Sequence, residues 1–218
     1  MTMLADNARE QMIEQQVRAW HVLDSNVLET LRIVPREAYV PPNYRALANA
    51  DLEIPLPGGQ HMLRPSIVGR LLSALQLTGN ERVLEVGTGS GFVTACLRVA
   101  ARSVLSLEIV PELADMARSN LGIQHVRDVQ VIGADALTHP LTDRFDAIAV
   151  TASMPRYDNR FQDALAVGGR LFVVVGDAPA MDARLIRRVA EDAWTVESLF
   201  ETVIDPLAHA QRPVEFVF

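Results

Sequence analysis

The residues whose types and spacing could do chemistry begin with three alternating glycines, Gly87, Gly89 and Gly91, with an acidic residue, Glu85, two places before the first. Residues 83–86 ahead of them form a short apolar run, and Val93, Cys96, Leu97 and Ala100 behind them recur at helical spacing. A strand, a glycine turn and a helix are the layout of a nucleotide site, the alternative being a tight βα turn with no ligand. Glycine accepts positive φ and lets a ligand approach the backbone, while free N–H groups at the helix start face an anionic group. A second apolar run, 103–107, ends in Glu108. A carboxylate about 20 residues beyond the first glycine is placed to accept hydrogen bonds from both hydroxyls of a ribose. The dinucleotide fingerprint needs a third glycine at position 92, where this chain has Phe92.

Further polar residues follow two later apolar runs. Asp135 and Ala136 come after residues 129–132, and Thr151 after residues 147–150. Asp135 is read as a contact for an adenine amino group, with a turn residue as the alternative. Thr151 is expected to line the pocket through its backbone. Four histidines, His21, His125, His139 and His209, lack metal-ligand spacing, and no metal site is expected. Cys96 lies on the apolar face of a helix and reads as a core residue.

The elements that must position these groups alternate strand with helix from residue 83 onward. Helices are expected over 111–121 (with Gly122 at its C′ position), 160–166 and 182–191. Strands are expected at 103–107, 129–132, 147–150 and 170–175, with β-rich runs at 195–204 and 214–218. Such alternation implies a parallel sheet wrapped by helices, with an antiparallel addition at the end. Ligands then bind outside the carboxyl ends of the strands, where the glycine loop, Glu108, Asp135 and Thr151 all fall. Upstream, Met12, Ile13, Val17 and Trp20 share a helical face over 8–20. A capping cluster at Asp24, Ser25 and Asn26 opens a helix that stops at Pro35, and residues 66–77 form another helix. Between them, the proline-rich segment 35–63 lacks long periodicity, which marks it as functional. Residues 1–65 are therefore taken as a helical, substrate-side extension and 66–218 as the nucleotide-binding domain.

The 218 residues are 49% hydrophobic and carry a net charge of −7. Every one of the 20 basic residues is arginine. An acidic chain without a basic run argues against nucleic acid as partner. Without an apolar leader or a run approaching the ~20 residues that span a bilayer, a cytoplasmic protein with no membrane association is expected.

The glycine loop with Glu85 resembles motif I of the S-adenosylmethionine-dependent methyltransferases of Rossmann-like fold. Over nearly its whole length the chain is similar to the protein-L-isoaspartate (D-aspartate) O-methyltransferases, through residues 34–41, 55–60, 83–91, 145–152 and 168–171. The resemblance implies an α/β fold with a mostly parallel, doubly wound sheet, an antiparallel C-terminal strand and an N-terminal helical extension. It implies S-adenosyl-L-methionine as cofactor, held by Glu85, Gly87, Thr88, Gly89, Ser90, Gly91, Glu108, Asp135, Ala136 and Thr151. It also implies methylation of the free α-carboxylate of isoaspartyl residues in damaged proteins, by a monomer. That carboxylate, with a pKa of roughly 3.3–3.7, is already an anion at neutral pH and needs no general base; catalysis can be mostly alignment.

The chain departs from the family at the substrate side. Where members read Gly-Gln-Thr-Ile-Ser-Gln-Pro, this chain has His61 for the threonine, Leu63 for the serine and Arg64 before Pro65. Leucine cannot donate the lost hydrogen bond, so His61 or Arg64 must compensate. His61 can be a base, a substrate contact or a surface residue. The family's Phe-Val-Pro-Leu becomes Ile204-Asp205-Pro206-Leu207. The alternatives are a paralogue that methylates a small-molecule hydroxyl or carboxyl, with His61 as general base, and a non-catalytic S-adenosylmethionine-binding protein.

Overall fold

The computed structural model describes residues 2–211. It opens with α1 (Thr2–Gln11), which widens into a π turn over Met12–Val17 and tightens into a 3₁₀ turn over Arg18–Trp20. Met12, Ile13 and Val17 are buried, and Trp20 meets Phe200 edge to face at 6.4 Å. Helix α2 (Ser25–Ile33) starts where Asp24 accepts the Asn26 N–H at 2.8 Å. The proline-rich stretch then forms 3₁₀ turns at Arg36–Ala38, Pro42–Leu47 and Pro57–Gly59 and one small hairpin, β1 (Ile54–Pro55) with β2 (His61–Met62). Helix α3 (Pro65–Leu75) begins on a proline, which suits the first helical position. Asp51 caps it from a distance, accepting from the Ser66 N–H at 3.0 Å and its hydroxyl at 2.9 Å.

The sheet and its helices follow in order: β3 (Arg82–Val86), α4 (Phe92–Ala100), β4 (Ser103–Glu108), α5 (Pro111–Ile123), β5 (Val129–Gly133), β6 (Phe145–Met154), α6 (Arg160–Asp163), β7 (Leu165–Val175), β8 (Met181–Ala190) and β9 (Ala193–Thr202). Across the sheet the strands stand β5-β4-β3-β6-β7-β8-β9. Strand β3 pairs in parallel with both β4 and β6, so Leu84 lies between Leu105 and Ile148. Chain order reverses there, which opens a crevice at the carboxyl ends of β3 and its neighbours. Strand β8 alone runs against the others, antiparallel to β7 and β9.

The central strands β3, β6 and β7 are buried on both faces, and alternation sorts their side chains. Val83, Ala147, Ala149, Phe172 and Val174 face the layer of α3, α4 and α5, where Ile67, Leu71, Leu75 and Leu97 meet them. Leu84, Val86, Ile148, Val150, Leu171 and Val173 face a thinner layer carried by Phe145, Phe161 and Leu165. Each fully buried large apolar side chain contributes about 1.5–3 kcal/mol. Gly69 of α3 lets the N-terminal segment come close, because a Cβ there would stand 2.7 Å from Val17.

Three local expectations are corrected. Residues 182–191, read as a helix, form β8. Met181, Ala183 and Leu185 are buried while Asp182 and Arg184 between them are half-exposed, and pairing on both edges outweighs the helix-forming alanines and arginines. The helix expected over 160–166 is only the four residues of α6, because the chain joins β7 at Leu165. Gly122 lies inside α5; the left-handed residue after that helix is His125, with φ 54°. The expected run at 214–218 lies outside the described residues. Among the described residues, no helix is long and apolar enough to cross a membrane.

Candidate active site

The site is a cleft at the carboxyl ends of the central strands. Its floor is the turn from β3 to α4. Gly87 has φ 91°, and a Cβ there would stand 2.5 Å from Thr151 Oγ1; Gly89 has φ 55°. Glycine takes these left-handed φ values without steric cost and leaves positions 87 and 89 without side chains. Thr151, at the facing turn of β6, places its hydroxyl 2.6 Å from the Gly87 carbonyl and 2.9 Å from that of Val86.

Glu108 ends β4 with its carboxylate on the cleft. Its two oxygens accept from backbone, Oε2 from the Gly89 N–H at 2.8 Å and Oε1 from the Val110 N–H at 3.0 Å. The same carboxylate thus fixes the glycine turn and the entrance to α5 while keeping lone pairs for further donors. Asp135 sits at the other end. Its Oδ1 accepts the Leu137 N–H at 2.8 Å and its Oδ2 pairs with His209 Nδ1 at 2.9 Å. Burial alone would raise the Asp135 pKa, but the His209 and Leu137 hydrogen bonds outweigh it and hold it below the ordinary value. Ala136 is buried beside it, and Leu107, Ile109, Val110, Leu113 and Leu137 give this end an apolar wall.

Glu85 does not reach the cleft, contrary to its expected place among the cofactor contacts. It points toward α4 and is fully buried. Its Oε2 accepts from Thr94 Oγ1 at 2.5 Å and Ser106 Oγ at 2.6 Å, and Ser106 Oγ lies 2.5 Å from Thr88 Oγ1. Since the Ser106 proton goes to Glu85, Thr88 donates to Ser106. A chain of hydroxyls therefore ties the glycine turn to the strand beneath it. Burial pushes the Glu85 pKa up to about 8, against the two hydroxyl hydrogen bonds and with help from Glu108 nearby. Gly91 also stays off the cleft; it sits at the start of α4, where a Cβ would stand 3.3 Å from Leu121.

A smaller chamber adjoins the cleft, with Leu56, His61, Leu63 and the glycine turn on both. Thr88 and Ser90 line this chamber. Arg64 lines neither void; its Nε lies 3.6 Å from Glu53. The segment 204–208 closes one side, held to β6 where the Ser153 N–H donates to the Asp205 carbonyl and the Leu207 N–H to the Ser153 carbonyl, both at 2.8 Å. His61 Nδ1 lies 2.9 Å from Asp205 Oδ2.

Sequence reasoning missed Arg36, which lines the chamber from the 3₁₀ turn after α2. Its place inside a matched stretch, residues 34–41, was the available signal. It also missed the hydrogen-bonded pairing of Asp135 with His209, for which residue spacing gives no clue. Among the described residues, no group of three or more His, Cys, Asp or Glu is placed to hold a metal ion.

A family model described as protein-L-isoaspartate(D-aspartate) O-methyltransferase matches residues 7–211. A protein-L-isoaspartate O-methyltransferase of Methanoculleus marisnigri is 38% identical over 182 residues, 83% of each chain. One from Rhodopseudomonas palustris is 40% identical over 202 residues, covering 91% of this chain and 82% of its own. Among solved structures, a Plasmodium falciparum protein-L-isoaspartate O-methyltransferase in complex with S-adenosyl-L-homocysteine superposes with a TM-score of 0.79 at 21% identity. The match covers 92% of this chain and 98% of that one, and it shows a shared fold.

Proposed function

The chain belongs to the protein-L-isoaspartate(D-aspartate) O-methyltransferase family, and on that premise we propose that it methylates the α-carboxylate of isoaspartyl residues in peptides and proteins. The observation that carries the reading is the convergence of the bare glycine turn, Glu108 and Asp135 on one cleft. When bound, S-adenosylmethionine supplies an electrophilic sulfonium methyl group.

The residues present suit that molecule. Gly87 and Gly89 leave room that any side chain would fill, Glu108 has lone pairs for ribose hydroxyls, and the apolar wall ending at Asp135 and Ala136 suits an adenine. Thr151 holds the facing edge of the turn, while Thr88, Ser90 and Gly91 shape it. Glu85 acts by holding that turn through Ser106 and Thr88. The chamber beside the turn receives the acceptor, walled by His61 and Leu63; Arg64 supports it through Glu53. An acceptor that is already ionised needs no proton removed, so the chain's task is to align it and exclude water. In this reading, residues 1–65 supply the acceptor side and 66–218 the cofactor side of a cytoplasmic monomer that binds neither nucleic acid nor membrane.

The test uses purified protein, radiolabelled S-adenosylmethionine and an isoaspartyl peptide beside its aspartyl counterpart. Base-labile label on the isoaspartyl peptide alone is expected. Label transferred to a hydroxyl compound instead, or cofactor binding without transfer to any acceptor, overturns the proposal.

A further inference from the structure

Leu63 offers no donor to an acceptor carboxylate, and Arg64 turns away to Glu53. Yet the two voids are lined by only two basic side chains among the described residues, His61 on both and Arg36 in the chamber. His61 and Asp205 belong to the two segments, 61–64 and 204–207, that depart from the family pattern. They lie 144 residues apart and meet at 2.9 Å. A carboxylate only accepts, so Nδ1 carries the proton toward Asp205, and Nε2 is the nitrogen left for a ligand.

Arg36 supplies the second observation. It is 1% exposed; its Nε donates to the Ala48 carbonyl and its Nη2 to the Leu63 carbonyl, each at 2.9 Å. Its Nη1 is buried with no partner, and no carboxylate among the described residues forms an ion pair with it. Burial lowers its pKa to about 10, which leaves it charged at neutral pH. The guanidinium lies over the Phe92 ring at 5.0 Å, but a buried cation without a counter-ion is costly, and an anionic ligand in the chamber would lower that cost. The acidic groups on the cleft are each engaged: Glu53 by Arg64, Glu108 by the glycine turn, Asp135 by His209 and Asp205 by His61.

We propose that His61, held by Asp205, forms with Arg36 the receptor for the acceptor's carboxylate, replacing the hydroxyl absent at Leu63. The protonated imidazole donates through Nε2 and Arg36 through Nη1. Esterification removes the carboxylate's charge, so the neutral product loses both attractions and leaves. This rests on the isoaspartyl reading above.

The experiment compares wild type, His61→Ala, Asp205→Asn and the double variant His61→Thr with Leu63→Ser, which restores the family residues. With the isoaspartyl peptide, His61→Ala raises KM by about tenfold to a hundredfold, the range of a charge-assisted hydrogen bond, with little change in kcat. Asp205→Asn gives a smaller rise, and the double variant regains most of the affinity. A second readout is calorimetric titration of the same peptide into protein loaded with S-adenosylhomocysteine, with the His61 ring resonances followed by NMR. Unchanged KM and peptide affinity in His61→Ala overturn the proposal, as does a kcat that climbs with pH, the mark of a general base. If wild type transfers no methyl to the peptide, the proposed function fails. The titration then decides the receptor separately, since peptide binding equal in wild type and His61→Ala refutes it.

Discussion

At the scale of single residues, Glu85 shows how a motif's most recognisable acid can work without touching a ligand. Its carboxyl lies under the turn, satisfied at Oε2 by Thr94 and Ser106, and its Oε1 has no partner. Burial raises its pKa to about 8, whereas an unfolded glutamate titrates near 4.3. The folded state therefore binds the extra proton between those values. Its stabilisation is complete below the unfolded pKa and is lost as pH rises through about 8. Glu85→Gln, which cannot ionise, should flatten this dependence. The drop in melting temperature between about pH 5 and about pH 8 should be smaller in the variant than in wild type. Equal drops in the two proteins would mean that Glu85 is ionised in the fold.

At the scale of elements, the turn between β3 and α4 is fixed from three sides: by Thr151 on β6, by Glu108 on β4 and by the hydroxyl chain from Glu85. Its shape is thus set before any ligand arrives, and little ordering cost falls on binding. Gly87→Ala tests this. The new methyl would need φ of 91° and would press on Thr151 Oγ1 from 2.5 Å. A left-handed backbone at a residue with a Cβ costs about 1–2 kcal/mol. Affinity for S-adenosylhomocysteine, read by calorimetry, should fall at least about tenfold, the factor that 1.4 kcal/mol represents. Wild-type affinity in a folded variant would place the ligand elsewhere.

At the scale of the whole molecule, the helical layer and the sheet are joined by a partly buried ion pair. Arg170 of β7 bonds the carbonyls of Leu75 and Gln76 at the end of α3 and pairs with Glu81 at 2.9 Å. Burial opposes ionisation of Glu81, but the Thr78 N–H and Arg170 together hold its pKa at about 2. With an unfolded value near 4.3, this group stabilises the fold above the unfolded pKa, and that stability is lost as pH falls through about 2. Arg170→Met leaves Glu81 with its Thr78 and Asn80 donors but without its cation, and should cost about 1.5–3 kcal/mol in urea unfolding at neutral pH. The acid transition should also move to higher pH. A loss under about 0.5 kcal/mol would show the pair to be dispensable, as most exposed ion pairs are.

Sequence alone determined whatever depends on neighbours along the chain. Alternating glycines after an apolar run can only be a tight turn entering a helix, and Glu108 at the end of the next run must lie beside it once the strands are parallel. The alternation gives parallel strands but not their neighbours, so the order β5-β4-β3-β6-β7 came from the tertiary structure. Two kinds of feature waited for the tertiary structure. One is conformation set by distant partners: residues 182–191 carry helix formers, and only pairing with β7 and β9 makes them a strand. The other is contact between groups far apart in sequence. His61 against Asp205, Asp135 against His209 and Arg36 beneath Leu63 have no signature in spacing, because side chains meet through the packing of whole elements, which local propensity does not encode.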